Sequence, residues 1–210
     1  MKLIVISSSK TIEKEHEIIT QLFEHGLNTF HLRKPDMTTK EMRQMIEKIP
    51  AHFHDRIVIH SHHNLAGSLK LRGIHLTRAH RRRKFSTWFR LRMLHLRRSS
   101  FTQSTSLSKL AHVYEDEGKF SYVFLSPIFE SLSGGFHAGY NQHSLRTAIE
   151  KNPHVKIVAR GGISLEHIAN IRDLGFHGMA FHSFLWRAGD PLANFISVLD
   201  KCAELGIKAE

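Results

Sequence analysis

Cysteine is almost absent from this sequence, which contains a single residue of that type, Cys202. One cysteine cannot form an internal disulfide bond, so a disulfide-stabilised scaffold is excluded and a reducing, cytoplasmic compartment is expected. The sequence also has no run of about 18 apolar residues, the length that a membrane-spanning helix needs. The apolar part of its N-terminal segment is too short for a signal peptide. We therefore expect a globular protein with no membrane span, and 210 residues suffice for one domain, 1–210.

Acidic residues are also scarce, because 19 Asp and Glu residues accompany 30 Lys and Arg residues. Much of the net charge of +11 lies in a basic stretch, residues 78–98, which includes RRRK at 81–84. A nucleic-acid-binding protein can use such a stretch, but charge alone is a weak signal and no recognisable binding motif accompanies it. We interpret the basic stretch as a solvated face that helps to attract anionic ligands. Whether it packs against a second copy of the chain, in a homodimer, stays open.

Short apolar runs alternate with helix-like segments along the whole chain. The predicted strands are 3–7, 29–33, 56–60, 73–76, one within 93–104, 121–125, 155–159 and 178–182. The predicted helices are 12–25, 38–49, 64–72, 106–118, 143–151, 164–175 and 190–205. Eight such repeats favour a parallel sheet that is buried on both faces and closed into a (β/α)₈ barrel. An open doubly wound sheet is the alternative, but it usually carries a Gly-rich loop after its first strand, where this chain has SSSK.

Glycine and serine mark the chain after the seventh and eighth predicted strands. VARGGIS, 158–164, contains two adjacent glycines that let the backbone approach a ligand closely, and Ser164 begins a helix whose free N–H groups favour an anion. FHSFLW, 181–186, can form a short helical turn that points to the same place. Because barrel enzymes often hold phosphate between these two loops, we expect a phosphate site there, although a tight turn alone would also explain the glycines. The predicted phosphate ligands are Gly161, Gly162, His182 and Ser183.

The segment IVARGGISLEHIANIRDLGFHGMAFHSFLW resembles the C-terminal signature of thiamine-phosphate synthases and their TenI-like relatives. FHLRKPDMTTKEM, IVIHSHHNLAGSLKLRGIHL and YVFLSPIFES resemble other segments of the same family. The resemblance covers nearly the whole chain, is weakest over 77–103 and implies a (β/α)₈ barrel. It also implies thiamine biosynthesis. The synthase couples a pyrimidine pyrophosphate to a thiazole phosphate with Mg²⁺, and the relatives tautomerise the thiazole phosphate to its aromatic form.

The chain departs from the family pattern where the resemblance places the magnesium ligands. Ser61 and His80 stand at the positions of the two aspartates, and neither residue supplies the carboxylate oxygens that Mg²⁺ prefers. Arg33 is retained, but the family lysine that follows it is replaced by Pro35. We therefore expect weak or absent synthase activity, and hence a Mg²⁺ requirement only if that activity is retained. The tautomerase histidine is missing too, since the closest match is Ser104-Thr105-Ser106.

Eighteen histidines offer candidate general bases, because the imidazole pKa lies near neutral pH. The candidate catalytic residues are His60, His137 and Ser104. The further candidate substrate-binding residues are Arg33, His31, Ser126 and Ser131. Two alternatives stay open: a homologue that binds the phosphorylated ligand without catalysis, and a metal-dependent hydrolase that uses the pair His60 and His62.

Overall fold

The computed structural model describes residues 1–77, 80, 101–116, 118–130, 139–187 and 189–210. Eight parallel strands pair in chain order, and the eighth pairs with the first, so the sheet is a closed barrel as predicted. The strands are β1 Lys2–Ile6, β2 Thr29–Leu32, β3 Ile57–Ile59, β4 Gly73–Leu76, β5 Thr102–Leu107, β6 Tyr122–Leu125, β7 Ile157–Arg160 and β8 Gly178–Phe181.

Helices of the described residues connect these strands. They are α1 Glu15–Glu24, α2 Thr39–Glu47, α3 Leu65–Ser68, α4 Ala111–Tyr114, α5 Gln142–Lys151, α6 Ile168–Asp173, α7 Ser183–Trp186 and α8 Pro191–Glu204, with 3₁₀ turns at Ala51–Arg56 and Leu165–His167. Among the described helices, none has the length and hydrophobicity to cross a bilayer. The basic stretch lies outside the described residues except for His80, which leaves our interpretation of it a prediction.

Local sequence signals explain where two of these helices begin. Thr38 caps α2, since its hydroxyl accepts the Glu41 N–H and the Glu41 carboxylate accepts the Thr38 N–H. Asp190 caps α8 and is followed by Pro191 at the first helical position. The two caps stand at the first residues of the predicted helices 38–49 and 190–205.

The barrel interior is divided into an apolar half and a polar half. The apolar half is a cluster formed by Ile4, Ile6, Tyr122, Phe124, Val158 and Ala180 of β1, β6, β7 and β8. The polar half comes from β2 to β5 and includes His31, His75 and Ser104, all nearly inaccessible to solvent. A second, larger apolar core fills the space between the strands and the surrounding helices.

The fifth strand departs from the sequence prediction. It spans Thr102–Leu107, so it covers only the end of the predicted segment and takes residues that we had assigned to the next helix. Its sequence, TQSTSL, lacks apolar alternation because its buried hydroxyls are satisfied by β4. Ser104 bonds to His75, and Thr105 donates to the Leu76 carbonyl at 2.7 Å.

Candidate active site

An open cavity of about 770 Å³ lies at the carboxyl ends of the strands. Arg33, His60 and Thr77 follow β2, β3 and β4, while Arg160 ends β7. This is the end of a (β/α)₈ barrel where substrates bind. The lining residues are Arg33, His60, His75, Thr77, Ser106, Leu107, Ser108, Lys109, His112, Glu115, Asp116, Lys119, Phe120, Ser126 and Arg160.

A chain of hydrogen bonds runs from His60 into the barrel interior. His60 Nε2 lies 2.9 Å from His31 Nδ1, and His31 Nε2 lies 2.5 Å from the Tyr122 hydroxyl. Burial, reinforced by neighbouring His75 and Arg160, lowers the pKa of both His31 and His60 well below the usual value. Burial also raises the pKa of Tyr122. All three groups are therefore neutral near pH 7, and His60 borders the cavity as an imidazole able to accept a proton.

His75 connects the interior to the guanidinium of Arg160. Its Nδ1 lies 3.0 Å from the Ser104 hydroxyl and its Nε2 lies 3.1 Å from the Ser106 hydroxyl. Arg160 Nη1 in turn donates to Ser106 Oγ at 3.3 Å. Ser104 lies within β5 and is fully buried against His75, so its predicted catalytic role stays a prediction. Ser106, two residues further on, is a serine of this strand that lines the cavity.

Three of these histidines have ring nitrogens within 4.8 Å of one another, namely His31, His60 and His75. Their ring geometry does not suit a shared metal ion. The rings of His60 and His75 are stacked, with centroids 4.2 Å apart and an interplanar angle of 23°. Imidazole donates to a metal in its own plane, so one ion cannot satisfy both rings. The nearby guanidiniums of Arg33 and Arg160 would also repel a cation.

The predicted metal pair does not converge either. His62 follows β3 with φ of +52°, which turns it away from the strand alternation that would have placed it beside His60. Its Nε2 lies 2.8 Å from the Met37 carbonyl and its Nδ1 lies 2.8 Å from the Thr39 hydroxyl. Both nitrogens of His62 thus serve as structural links to the start of α2.

The glycine pair after β7 has a packing role in the structure. Gly161 and Gly162 have φ of +95° and +69°, a region that side chains disfavour. A Cβ atom on Gly162 would lie 2.1 Å from the Glu130 carbonyl oxygen, because the segment after β6 passes directly over it. The Phe129 N–H also donates to the Gly161 carbonyl at 3.1 Å. The two glycines therefore join the loops after β6 and β7, and phosphate binding there remains a prediction.

His182 follows β8 and Ser183 begins α7, at the same end of the barrel. Burial lowers the pKa of His182, as do Arg160, Arg33 and Lys34, while a hydrogen bond with the Ser7 backbone opposes them. The positive charges of Arg160 and Arg33 therefore extend to His182, one of the predicted phosphate ligands. A neutral His182 can still donate one N–H to a phosphate oxygen.

Lys34 does not replace the missing family lysine. Its side chain is buried, pairs with Glu15 at 2.5 Å and donates to the Lys10 carbonyl at 2.7 Å. Burial raises the pKa of Glu15, partly offset by Lys34. This pair anchors the loop between β1 and α1 to the end of β2, so Arg33 is the cation that this segment contributes to the cavity.

Of the remaining predicted site residues, Ser126 follows β6 and lines the cavity. Ser131 and His137 lie outside the described residues, and their roles stay predictions. Arg160, Ser106 and Tyr122 were missed. Arg160 stands inside the VARGGIS motif, so an arginine at the end of a strand next to a proposed phosphate loop was the available signal.

The Mg²⁺ that the resemblance implies does not fit the residues present. Ser61 and His80 occupy the expected aspartate positions and offer a hydroxyl and an imidazole, which are poor partners for this hard cation. The carboxylates of Asp36, after β2, and Glu130, after β6, do not replace them, because both residues are exposed and neither lines the cavity. We therefore derive no chemistry through Mg²⁺.

The fold and this site define a (β/α)₈ barrel with a cationic, histidine-rich cavity at the carboxyl ends of its strands. The family model described as thiamine monophosphate synthase matches residues 3–185. A solved thiamine phosphate pyrophosphorylase from Bacteroides thetaiotaomicron is 30% identical, with 99% of this chain and 100% of that chain covered and a TM-score of 0.78. The chain belongs to the thiamine monophosphate synthase family.

Other comparisons bear on the fold alone. A thiamine phosphate pyrophosphorylase from Pyrococcus furiosus is 17% identical over 97% of this chain and 96% of that chain, with a TM-score of 0.75. A 3-hexulose-6-phosphate synthase is 15% identical over 96% of this chain and 99% of that chain, with a TM-score of 0.63. Among curated protein sequences, none matches this chain significantly.

Proposed function

We propose that this protein acts in thiamine biosynthesis by binding a thiazole phosphate or thiamine phosphate in the cavity at the barrel mouth. There it either couples the thiazole phosphate to a pyrimidine pyrophosphate or tautomerises it. The observation that carries the proposal is that Arg33 and Arg160 line this cavity beside the neutral imidazole of His60, in a chain of this family. Such a lining attracts a phosphorylated ligand and provides groups for proton transfer.

The candidate residues other than the buried Ser104 have the following roles in this proposal. The ligand phosphate lies on the backbone of Gly161 and Gly162 and on the side chains of His182 and Ser183. Arg33 supplies positive charge near the second substrate, and His31 holds the imidazole of His60 in place. Ser126 and Ser131 border the ligand from the segment after β6, while His60 or His137 carries the proton.

Calorimetric titration with thiazole phosphate and thiamine phosphate tests the proposal, with and without magnesium. We expect saturable binding of at least one of the two ligands. His60→Asn should retain that binding and lose any tautomerisation, because Asn cannot accept a proton at neutral pH. His25→Asn is the matched control, since that exposed histidine lies on the C-terminal side of α1. If both ligands fail to bind at millimolar concentration, the proposal is wrong.

A second candidate function is binding without catalysis, as in a regulatory homologue. The replacement of both expected magnesium aspartates by Ser61 and His80 favours it over synthase activity. Tight ligand binding combined with no turnover, in the presence or absence of magnesium, would support this second function. Either function suits the cytoplasm, where a chain whose single cysteine is buried needs no oxidising environment.

A further inference from the structure

Arg160 is a partly buried cation, and the part of the chain that the structure describes gives it no acidic partner. Within the described ranges, no carboxylate lies within ion-pair distance of the guanidinium of Arg160 or of Arg33. The contacts of Arg160 are the Ser106 hydroxyl and the Phe124 ring, whose centroid lies 5.9 Å from its guanidinium carbon. Burial and the nearby Arg33 both lower the pKa of Arg160. Removing a charge from water without a counter-charge is unfavourable, so an anion bound beside Arg160 would be stabilised by it.

The charges along the cavity wall indicate how much negative charge a bound anion would carry. Four of the lining residues are Lys or Arg and two are carboxylates, Glu115 and Asp116. Asp116 is engaged locally, since its Oδ1 accepts the N–H groups of Gly118 and Lys119. Outside the described ranges the sequence adds one acidic residue, Glu117. The surplus of positive charge therefore exceeds what one singly charged carboxylate would neutralise.

A hydrogen-bond chain supports the guanidinium of Arg160 from the barrel interior. If the Ser106 hydroxyl donates to His75 Nε2, its oxygen is free to accept from Arg160, and His75 Nδ1–H then donates to Ser104. In this arrangement Arg160 is the outer end of a continuous chain of hydrogen bonds that leads to Ser104. Its guanidinium can present a planar pair of N–H donors, which matches two oxygens of a phosphate.

We propose that Arg160 and Arg33 form a binding site for a diphosphate group that needs no metal ion. The two guanidiniums supply the positive charge at a mouth where Mg²⁺ does not fit the residues present. The inference deepens the proposed function and rests on it for the biological source of the diphosphate. Arg160 is then a residue that sets specificity for the substrate that carries the diphosphate.

Calorimetry with inorganic pyrophosphate and inorganic phosphate tests the site, in excess EDTA and again in excess magnesium at the same ionic strength. We expect pyrophosphate to bind in EDTA at least about tenfold more tightly than phosphate, because two guanidiniums engage both of its phosphoryl groups. Arg160→Gln should weaken pyrophosphate binding at least about tenfold, and Arg160→Lys should weaken it less. Arg172→Gln should have no effect, since Arg172 is exposed and pairs with Asp173.

Stability of the ligand-free variant separates a binding role from a structural one. Arg160→Gln removes an unpaired charge, so its urea midpoint should equal or exceed that of the wild type, while pyrophosphate should no longer raise it. Pyrophosphate binding that requires magnesium, equal affinity for phosphate and pyrophosphate, or undiminished affinity in Arg160→Gln would each overturn the proposal. Thiazole phosphate and thiamine phosphate are titrated separately. If pyrophosphate binds and neither of these two ligands does, only the proposed function is refuted.

Discussion

Replacing His31 by glutamine tests the claim that the polar half of the barrel depends on neutral histidines. His31 is fully buried between His60 and Tyr122, and burial is the main reason why its pKa lies well below 6.5. In the unfolded chain the same imidazole titrates near 6.5. Below that pH the unfolded state therefore binds a proton that the folded state excludes, and stability falls as the pH falls.

The size of this effect follows from proton linkage. For one histidine that stays neutral in the folded state, lowering the pH from 7.5 to 5.0 removes about 2 kcal/mol from the free energy of unfolding. His60 should contribute a similar amount, since its pKa is lowered for the same reasons. The raised pKa of Glu15 makes stability rise as the pH falls, which is the opposite effect. This contribution is the same in the wild type and in His31→Gln, so it cancels from the difference between them.

Urea denaturation of the wild type and His31→Gln at several pH values between 5.0 and 7.5 measures the difference. We expect the wild type to lose about 2 kcal/mol more than the variant over this range, although the variant is less stable at pH 7.5. His143→Gln, on the exposed side of α5, should keep the full pH dependence of the wild type. Equal pH slopes in the wild type and His31→Gln would refute the reasoning.

Two further predictions concern the loops that frame the cavity. Gly162→Ala should lower the free energy of unfolding by about 2 kcal/mol or more, because its Cβ would meet the Glu130 carbonyl. The control Gly189→Ala, with φ of +73° and open space around it, should lower it by about 1 kcal/mol. Urea denaturation measures both. Lys34→Met should cost about 3–5 kcal/mol because it leaves a buried Glu15 carboxylate, and adding Glu15→Leu should recover much of that loss in the same assay.

The sequence predicts the barrel well because most strands are apolar on both faces. GIHL was placed correctly as Gly73–Leu76, and the other predicted strands apart from the fifth overlap the observed ones to within two residues at either end. The fifth strand was misplaced because its interior side carries Ser104 and Ser106, which are satisfied by His75. Burial of such residues depends on a partner 29 or more residues away, and local periodicity contains no information about it.

The candidate site likewise depends on contacts between residues that are far apart in the sequence. Arg33 and His60 are among the predicted site residues, and both line the cavity, whereas the predicted His31 is buried behind His60. That Tyr122 meets His31 could not be read from the sequence, because β2 and β6 come together only when the barrel closes. The sequence also suggested His62 as a partner of His60, but the positive φ of His62 accompanies a side chain that bonds to Met37 and Thr39 instead.

The neutral imidazoles of His31 and His60 lie near the guanidiniums of Arg33 and Arg160 without adding positive charge to the cavity. Each imidazole accepts or donates hydrogen bonds without adding charge, so the cavity keeps the positive potential of Arg33 and Arg160 without the repulsion that protonated histidines would bring. An anion at the mouth would reduce that repulsion and raise the pKa of His60. Ligand binding would thereby make His60 a stronger base at the moment when a proton must be moved, which links the anion site to the proposed proton transfer.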